Sequence, residues 1–277
     1  MKIMISAMVL LLFTLYAWAD EYRDVISSTP GLVAHWSFEE QADPRLAEKS
    51  KDSNPESTSL TVESGVFYPG GGTLRTVIRL NDNSGKFSGR TEEVKTGEKG
   101  VSGQAFRFNG KDSVVYLFRH PAFESGLDDF SVDLWIKPDS ADKLGTIANR
   151  RSPFGKGWGE WYLIGSNGKL TFLVRLRQND QISVSTPPDA VKPGVWQYVA
   201  AVRQGNTLLI YMNGELVASD SGRQGLRIPD FGDITLGSNQ FGSNYAGLID
   251  EFAYYRQALT QEGIREHFRA GLNQLLK

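Results

Sequence analysis

The sequence contains no cysteine, so no disulfide framework holds the fold and no thiolate serves as nucleophile or metal ligand. Histidine is almost as scarce, with 3 in 277 residues. His35, His120 and His267 are scattered and form no zinc-type spacing. Neither sign of charge dominates: 30 lysines and arginines stand against 32 acids, a formal net charge of −2. That balance gives no basic footprint for a nucleic acid or an anionic membrane surface. No Gly-x-Ser-x-Gly elbow, phosphate loop or dinucleotide fingerprint occurs. Glycan cleavage needs two carboxylates on one surface about 5–10 Å apart, and no Glu-x-Asp-x-Glu pattern sets acids that way on a strand. Glu39-Glu40, Glu92-Glu93, Asp128-Asp129 and Asp250-Glu251 are adjacent, so alternation points the members of each pair to opposite faces. Asp129, Ser131 and Asp133 do share a face, which alternation assigns to solvent.

Long apolar runs are missing too, save one at the N-terminus. Lys2 precedes an apolar stretch from Ile3 to Tyr16, and Ala17-Trp18-Ala19 supplies the small-x-small boundary of a cleavable secretory signal over residues 1–19. The stretch is shorter than the roughly 20 residues of a spanning helix. The expectation is export to the periplasm or the medium, with no stable membrane insertion after cleavage. Absence of cysteine in an exported chain fits a bacterial source better than a disulfide-rich ectodomain. Residues 20–30 form a short N-terminal segment.

What is present is glycine (29 residues), aromatics (11%) and a period of two. Leu32, Ala34, Trp36 and Phe38 alternate with polar neighbours, as do Phe130, Val132, Leu134 and Ile136, and again Trp196, Tyr198, Ala200 and Val202. Asn167-Gly168 and Asn213-Gly214 sit between such runs and predict tight hairpins. About a dozen strands at this spacing predict an all-β, two-sheet antiparallel sandwich or jelly roll. Only the C-terminus has a helical period, with Thr260 as cap, Ile264, His267 and Phe268 on one face, and Gly271 as the C-cap before a tail of residues 272–277. Residues 41–80, centred on Pro69-Gly70-Gly71-Gly72, alternate weakly and read as an insertion with short strands of its own.

Four ordered blocks carry a resemblance. They are Gly31-Leu-Val-Ala-His-Trp-Ser-Phe-Glu-Glu40, Gly103-Gln-Ala-Phe-Arg-Phe-Asn-Gly110, Asp129-Phe-Ser-Val-Asp-Leu-Trp-Ile-Lys-Pro138 and Ala246-Gly-Leu-Ile-Asp-Glu-Phe-Ala-Tyr-Tyr-Arg-Gln-Ala-Leu-Thr260. The chain resembles the laminin-G-like jelly-roll domains of the concanavalin A-like lectin/glucanase superfamily, of the bacterial exported type, over residues 31–271. The resemblance implies a calcium site built from acids of the first and last strands and an Asp-rich turn, here Glu39, Asp250 and Asp82. In similar domains such a turn follows the opening strand quickly; here the best match, Asp82-Asn83-Ser84-Gly85, comes about forty residues after Phe38. The alternatives for Asp250 are a turn cap, a salt bridge with Arg256 or Arg79, or exposure to solvent with Ile249 and Ala253 as the inward set.

For ligand binding the useful residues are aromatics in glycine-punctuated loops, where a flat ring offers a sugar its apolar partner. Phe154, Trp158 and Trp161 supply one such loop; Phe241, Asn244 and Tyr245 supply a second. The alternative for each ring is closure of the sandwich end. The leading expectation is a non-catalytic module that binds a glycan or a cell-envelope or extracellular protein. A glycan-active hydrolase or lyase with an unfamiliar site, and a structural or adhesive envelope subunit, stand as alternatives.

Overall fold

The computed structural model describes residues 21–41, 66–67, 75–151, 159–177, 180–222, 232–239 and 241–277. The expected signal segment 1–19, most of the expected 41–80 insertion, and Phe154 and Trp158 lie outside the described residues.

Numbered along the chain, the strands build two eight-stranded antiparallel sheets. The front sheet runs β16 (Glu215–Ser221), β15 (Thr207–Met212), β14 (Gln197–Gln204), β9 (Phe130–Pro138), β18 (Ala246–Tyr255), β7 (Gln104–Asn109) and β6 (Lys95–Lys99), with β1 (Leu32–Trp36) also paired to β18. The back sheet runs β13 (Asp180–Ser185), β12 (Lys169–Arg177), β11 (Glu160–Ser166), β10 (Gly145–Arg150), β17 (Ile234–Leu236), β8 (Val114–Leu117), β5 (Ser88–Glu92) and β4 (Arg79–Asn81). Within the expected insertion, β2 (Val66–Phe67) pairs with β3 (Arg75–Thr76) as a separate two-stranded sheet.

The alternating residues meet between the sheets. Phe130, Val132, Leu134 and Ile136 of β9 face Trp161 and Leu163 of β11 and Phe172 and Val174 of β12 in one apolar core. Both predicted hairpins form, and each uses two residues with positive φ: Asn167 (51°) with Gly168 (71°), and Asn213 (50°) with Gly214 (84°). This is the combination that matches the twist of the flanking strands. Asn109-Gly110 instead carries the chain from the front sheet to the back, and Asn109 Oδ1 accepts from the amides of Lys111, Asp112 and Ser113.

Two helices cover the outer face of the front sheet. In α1 (Glu21–Ser28), Tyr22 and Ile26, four residues apart, are both buried, while Glu21 and Asp24 favour the N-terminal end of the helix dipole. In α2 (Gln261–Leu275) the Thr260 side chain accepts from the Gly263 amide, as its cap position predicts. Gly271 does not end this helix. It lies within it, where a Cβ would come 2.4 Å from the Trp135 ring, so glycine is there for close helix–sheet approach. A second apolar cluster joins Tyr22, Ile26 and Ile264 to Trp135, Tyr198 and Tyr255.

This layer corrects the assignment of Ser131 and Asp133 to solvent, because both are fully buried beneath the helices. Asp133 accepts from Tyr198 Oη at 2.6 Å and Tyr255 Oη at 3.3 Å, and lies 2.8 Å from His267 Nδ1. Period two says that residues alternate; it does not say what covers each face.

Candidate functional site

With the front sheet roofed by helices, the outer side of the back sheet is the other broad face, although its middle is itself covered, with Asn149 1% and Thr235 6% exposed. Strand register places Tyr162, Asn149, Thr235, Tyr116, Arg90 and Arg79 in one row across it, each the cross-strand partner of the next. They point away from the core because their neighbours Leu163, Ile234, Leu236, Val115, Leu117 and Leu80 point into it. Asn149 Nδ2 donates to Thr235 Oγ1 at 2.8 Å and to the Ser238 carbonyl at 2.9 Å, fixing the middle of the row.

Two residues from Tyr162 on the same face of β11, Glu160 is fully buried and ion-paired with two arginines. Arg151 Nε donates to its Oε1 at 3.3 Å, and Arg175 donates to Oε2 through Nη2 at 2.5 Å and Nε at 3.2 Å. Tyr162 Oη donates to Oε2 at 3.1 Å. Burial, followed by the Glu160 charge, pushes the Tyr162 phenol up to about 12, so it stays a donor. Three guanidiniums on this face also lie on rings: Arg151 is 3.7 Å from the Phe241 centroid, Arg90 4.9 Å from Tyr116 and Arg175 5.7 Å from Tyr162. Phe241 remains 69% exposed, so Arg151 occupies one side of the ring while much of the ring stays open to solvent.

The expected ligand residues therefore part company. Phe241 is a presented ring. Trp161 is fully buried in the inter-sheet core, against Phe130, and Tyr245 is buried with its hydroxyl donating to the Leu248 carbonyl at 3.1 Å. Neither offers a face to a ligand. Asn244 is partly exposed, but its Oδ1 accepts from Ser238 Oγ at 2.6 Å and its Nδ2 donates to the Lys111 carbonyl, so it builds the loop that carries Phe241. Sequence reasoning missed Arg151, Glu160 and Arg175. The signal available was alternation in β11, where Glu160 and Tyr162 interleave with core Trp161 and Leu163.

Of the three acids implied as calcium ligands, Asp250 lies on β18 of the front sheet, Glu39 follows β1, and Asp82 follows β4 of the back sheet. Asp82 is absorbed by its own turn, accepting from the amides of Ser84, Lys86 and Phe87. Glu39, after β1, and Asp250, on β18, grip one tight turn, Gly100–Gln104, from two parts of the chain. Glu39 accepts from the Gln104 amide and from Arg23 Nη2 at 3.0 Å, and Asp250 Oδ2 from the Val101 amide at 2.7 Å. Glycine at 100 and 103 allows this, since a Cβ would lie 2.4 Å from Asp250 and 2.2 Å from Glu39. Two carboxylates on one turn suit a hard cation, and Asp82 does not belong with them. Among the described residues no group of three such side chains is already arranged to hold a metal.

Asp250 and Glu251 also depart from alternation. The pairing of β18 with β9 shifts register between Asp250 and Ala253, and Glu251 has φ 55°. Ile249 and Phe252 both reach the inter-sheet core, so the bulge turns Asp250 and Glu251 together toward the helix side. Both are fully buried, and burial raises both carboxyls well above the usual range. Beside them runs an oriented chain of hydrogen bonds. Ser37 Oγ donates to Asn83 Oδ1 at 3.0 Å and Asn83 Nδ2 to His35 Nδ1 at 2.9 Å, which leaves His35 Nε2 to face Glu251 Oε2 as the N–H. Burial depresses His35 to about 4.

Thr29, His267 and Asp133 line up in the order of a hydrolytic triad, with Thr29 Oγ1 2.7 Å from His267 Nε2. Yet Thr29 Oγ1 donates to the Val25 carbonyl at 2.8 Å and His267 is 1% exposed. The chain of contacts pins α1 to α2 rather than meeting a substrate.

A family model described as the concanavalin A-like lectin/glucanases superfamily matches residues 109–265, more than half of the chain. Human pappalysin-1 is 26% identical over 192 residues, which are 61% of this chain and 11% of that protein. The chain thus spans a small part of that relative's length. Among solved structures, domain 4 of AbnA, a GH43 extracellular arabinanase from Geobacillus stearothermophilus in complex with arabinotriose, superposes with a TM-score of 0.58. It is 19% identical and covers 85% of this chain and 97% of that one. The binding domain of botulinum neurotoxin DC in complex with SialylT gives 0.56 at 19% identity, covering 69% and 48%. The same domain with rat synaptotagmin II gives 0.58 at 20% identity, covering 69% and 49%. At such identities the likeness is one of fold.

Proposed function

The chain belongs to the concanavalin A-like lectin/glucanases superfamily, and from that premise we propose that it is an exported, non-catalytic module that binds carbohydrate on the outer face of its back sheet. One observation carries the reading. Phe241 is a large aromatic ring left 69% exposed and fixed in place by the Arg151 guanidinium 3.7 Å from its centroid. A ring held out in this way offers a flat apolar surface to a sugar, and the Arg151 and Arg175 guanidiniums beside it supply hydrogen-bond donors for its oxygens. The buried state of Asp250, Glu251 and Asp133 supports a binding role over hydrolysis, since no substrate reaches those acids.

Support from outside the chain is of the same kind. The solved neighbours include a domain seen with arabinotriose, one seen with SialylT and one seen with synaptotagmin II. Export through the 1–19 segment is part of the proposal, as is calcium as a structural ion at the Glu39–Asp250 side of the Gly100–Gln104 turn. A glycan array, followed by titration of the hits, tests the reading. Phe241→Ala is expected to weaken binding at least about tenfold, in line with an aromatic anchor, at unchanged melting temperature. Absence of any glycan hit, with capture of an envelope or extracellular protein in its place, overturns it.

A further inference from the structure

We infer that the glycan taken by this face is acidic, an oligosaccharide carrying carboxylates or sulfates and lying across the strands; the inference rests on the carbohydrate reading above. The first ground is charge. Arg79, Arg90, Arg151 and Arg175 share the outer face with Glu92 and Glu160. Among these six side chains the arginines outnumber the glutamates four to two, in a chain whose net charge is −2. Both glutamates are sunk, with side chains 7% and 0% exposed, so what meets solvent is guanidinium.

The second ground is unspent hydrogen bonding. Arg151 uses only Nε on Glu160, and Arg175 uses Nε and Nη2. Among the described residues, both Nη atoms of Arg151 and Nη1 of Arg175 make no further hydrogen bond. Arg79 is exposed and has no ion pair among them. A neutral sugar needs donors and acceptors in mixture, whereas this set is donor-only and charged. Its geometric match is a carboxylate or sulfate, taken bidentately by a planar fork.

The third ground is preparation. Arg90, Arg151 and Arg175 are each stacked on a ring and tied to a buried carboxylate, so the rotamer entropy usually lost on binding is already spent in folding. Spacing sets the size of the ligand. Arg90 on β5 stands three strands from Arg151, at the end of β10, and five from Arg175 on β12, roughly 14 and 24 Å at about 4.8 Å per strand. A single sugar does not span that distance; a chain of several units does.

The experiment compares matched pairs by titration of the purified protein. Polygalacturonate is set against its methyl ester, a sulfated galactan against its desulfated form, and a single-stranded oligonucleotide serves as polyanion control. The acidic member of at least one pair is expected to bind and its neutral form not, with affinity falling steeply as salt rises. Carboxylate and sulfate are then told apart by which pair responds. Arg79→Gln, a surface change that leaves the melting temperature unaltered, and Arg151→Gln are each expected to weaken the acidic ligand about tenfold. Equal binding of acidic and neutral forms, or indifference to both substitutions, overturns the inference while the carbohydrate reading stands. Preference for the oligonucleotide also overturns it. If neither these nor any arrayed glycan binds, the carbohydrate reading falls first.

Discussion

Glu160 shows how far one buried charge organises a surface. It has no exposure, and its oxygens hold Arg151, Arg175 and Tyr162 in place; Arg151 in turn holds Phe241. Replacing it by glutamine keeps the shape and removes the charge, leaving two partly buried guanidiniums without their counter-ion. Glu160→Gln is expected to cost roughly 3 kcal/mol of unfolding free energy, read by urea denaturation, and to weaken glycan binding as Phe241 loses its support. His35 supports a different test at the same scale. Its native value of about 4 lies below the ordinary 6.5 because burial disfavours the charged ring, so between those values the unfolded chain binds more protons than the native one. Stability from this group is therefore complete above pH 6.5 and is lost as the pH falls toward 4, by up to about 3 kcal/mol. The raised carboxyl of Glu251 acts in the opposite sense, its contribution fading as pH climbs through its raised value. Between pH 7 and pH 4.5 the change in unfolding free energy, read by urea denaturation, should be more unfavourable for the parent than for His35→Gln, whatever the opposing change from Glu251; equal changes would remove His35 as the cause.

At the scale of elements, the strands were readable and their coverings were not. Alternation in Phe130–Ile136 and the two Asn-Gly hairpins follow from side-chain sterics and turn dihedrals, which are local. Burial of Asp133 and Ser131 depends on α1 and α2 arriving from opposite ends of the chain, and no local pattern encodes it. The bulge at Asp250–Glu251 is a further case: two adjacent acids are expected on opposite faces until Glu251 adopts φ 55°. The candidate site divides in the same way. Phe241 was legible as a loop aromatic, whereas Trp161 belongs to the core because strand β11 begins one residue before it. Two substitutions test the helix layer. Gly271→Ala drives a methyl into the Trp135 ring and is expected to cost about 1–3 kcal/mol as overpacking. Tyr22→Ala removes a fully buried ring whose hydroxyl accepts from Trp135 Nε1 at 3.2 Å and is expected to cost about 3–5 kcal/mol. Differential scanning calorimetry reads both, and a melting temperature unmoved by Tyr22→Ala would mean that α1 does not dock as described.

Over the whole molecule, the two sheets have unequal fates. One is sealed beneath two helices and carries polar residues that meet each other; the other keeps arginines and an aromatic ring at its outer face. The proposed calcium ion belongs to this scale, since Glu39 on the stretch after β1 and Asp250 on β18 tie two distant parts of the chain to one turn. Millimolar calcium is expected to raise the melting temperature by a few degrees, roughly what 1 kcal/mol of ligand linkage gives, and Asp250→Asn to abolish the rise. An unchanged melting temperature on adding calcium or EDTA would remove the ion from the account. The central claim is that the back-sheet face binds carbohydrate through Phe241, and isothermal titration of parent and Phe241→Ala against the best glycan of an array tests it most directly. The account predicts at least about a tenfold loss of affinity with the melting temperature intact; equal affinity of the two proteins for that glycan would contradict it.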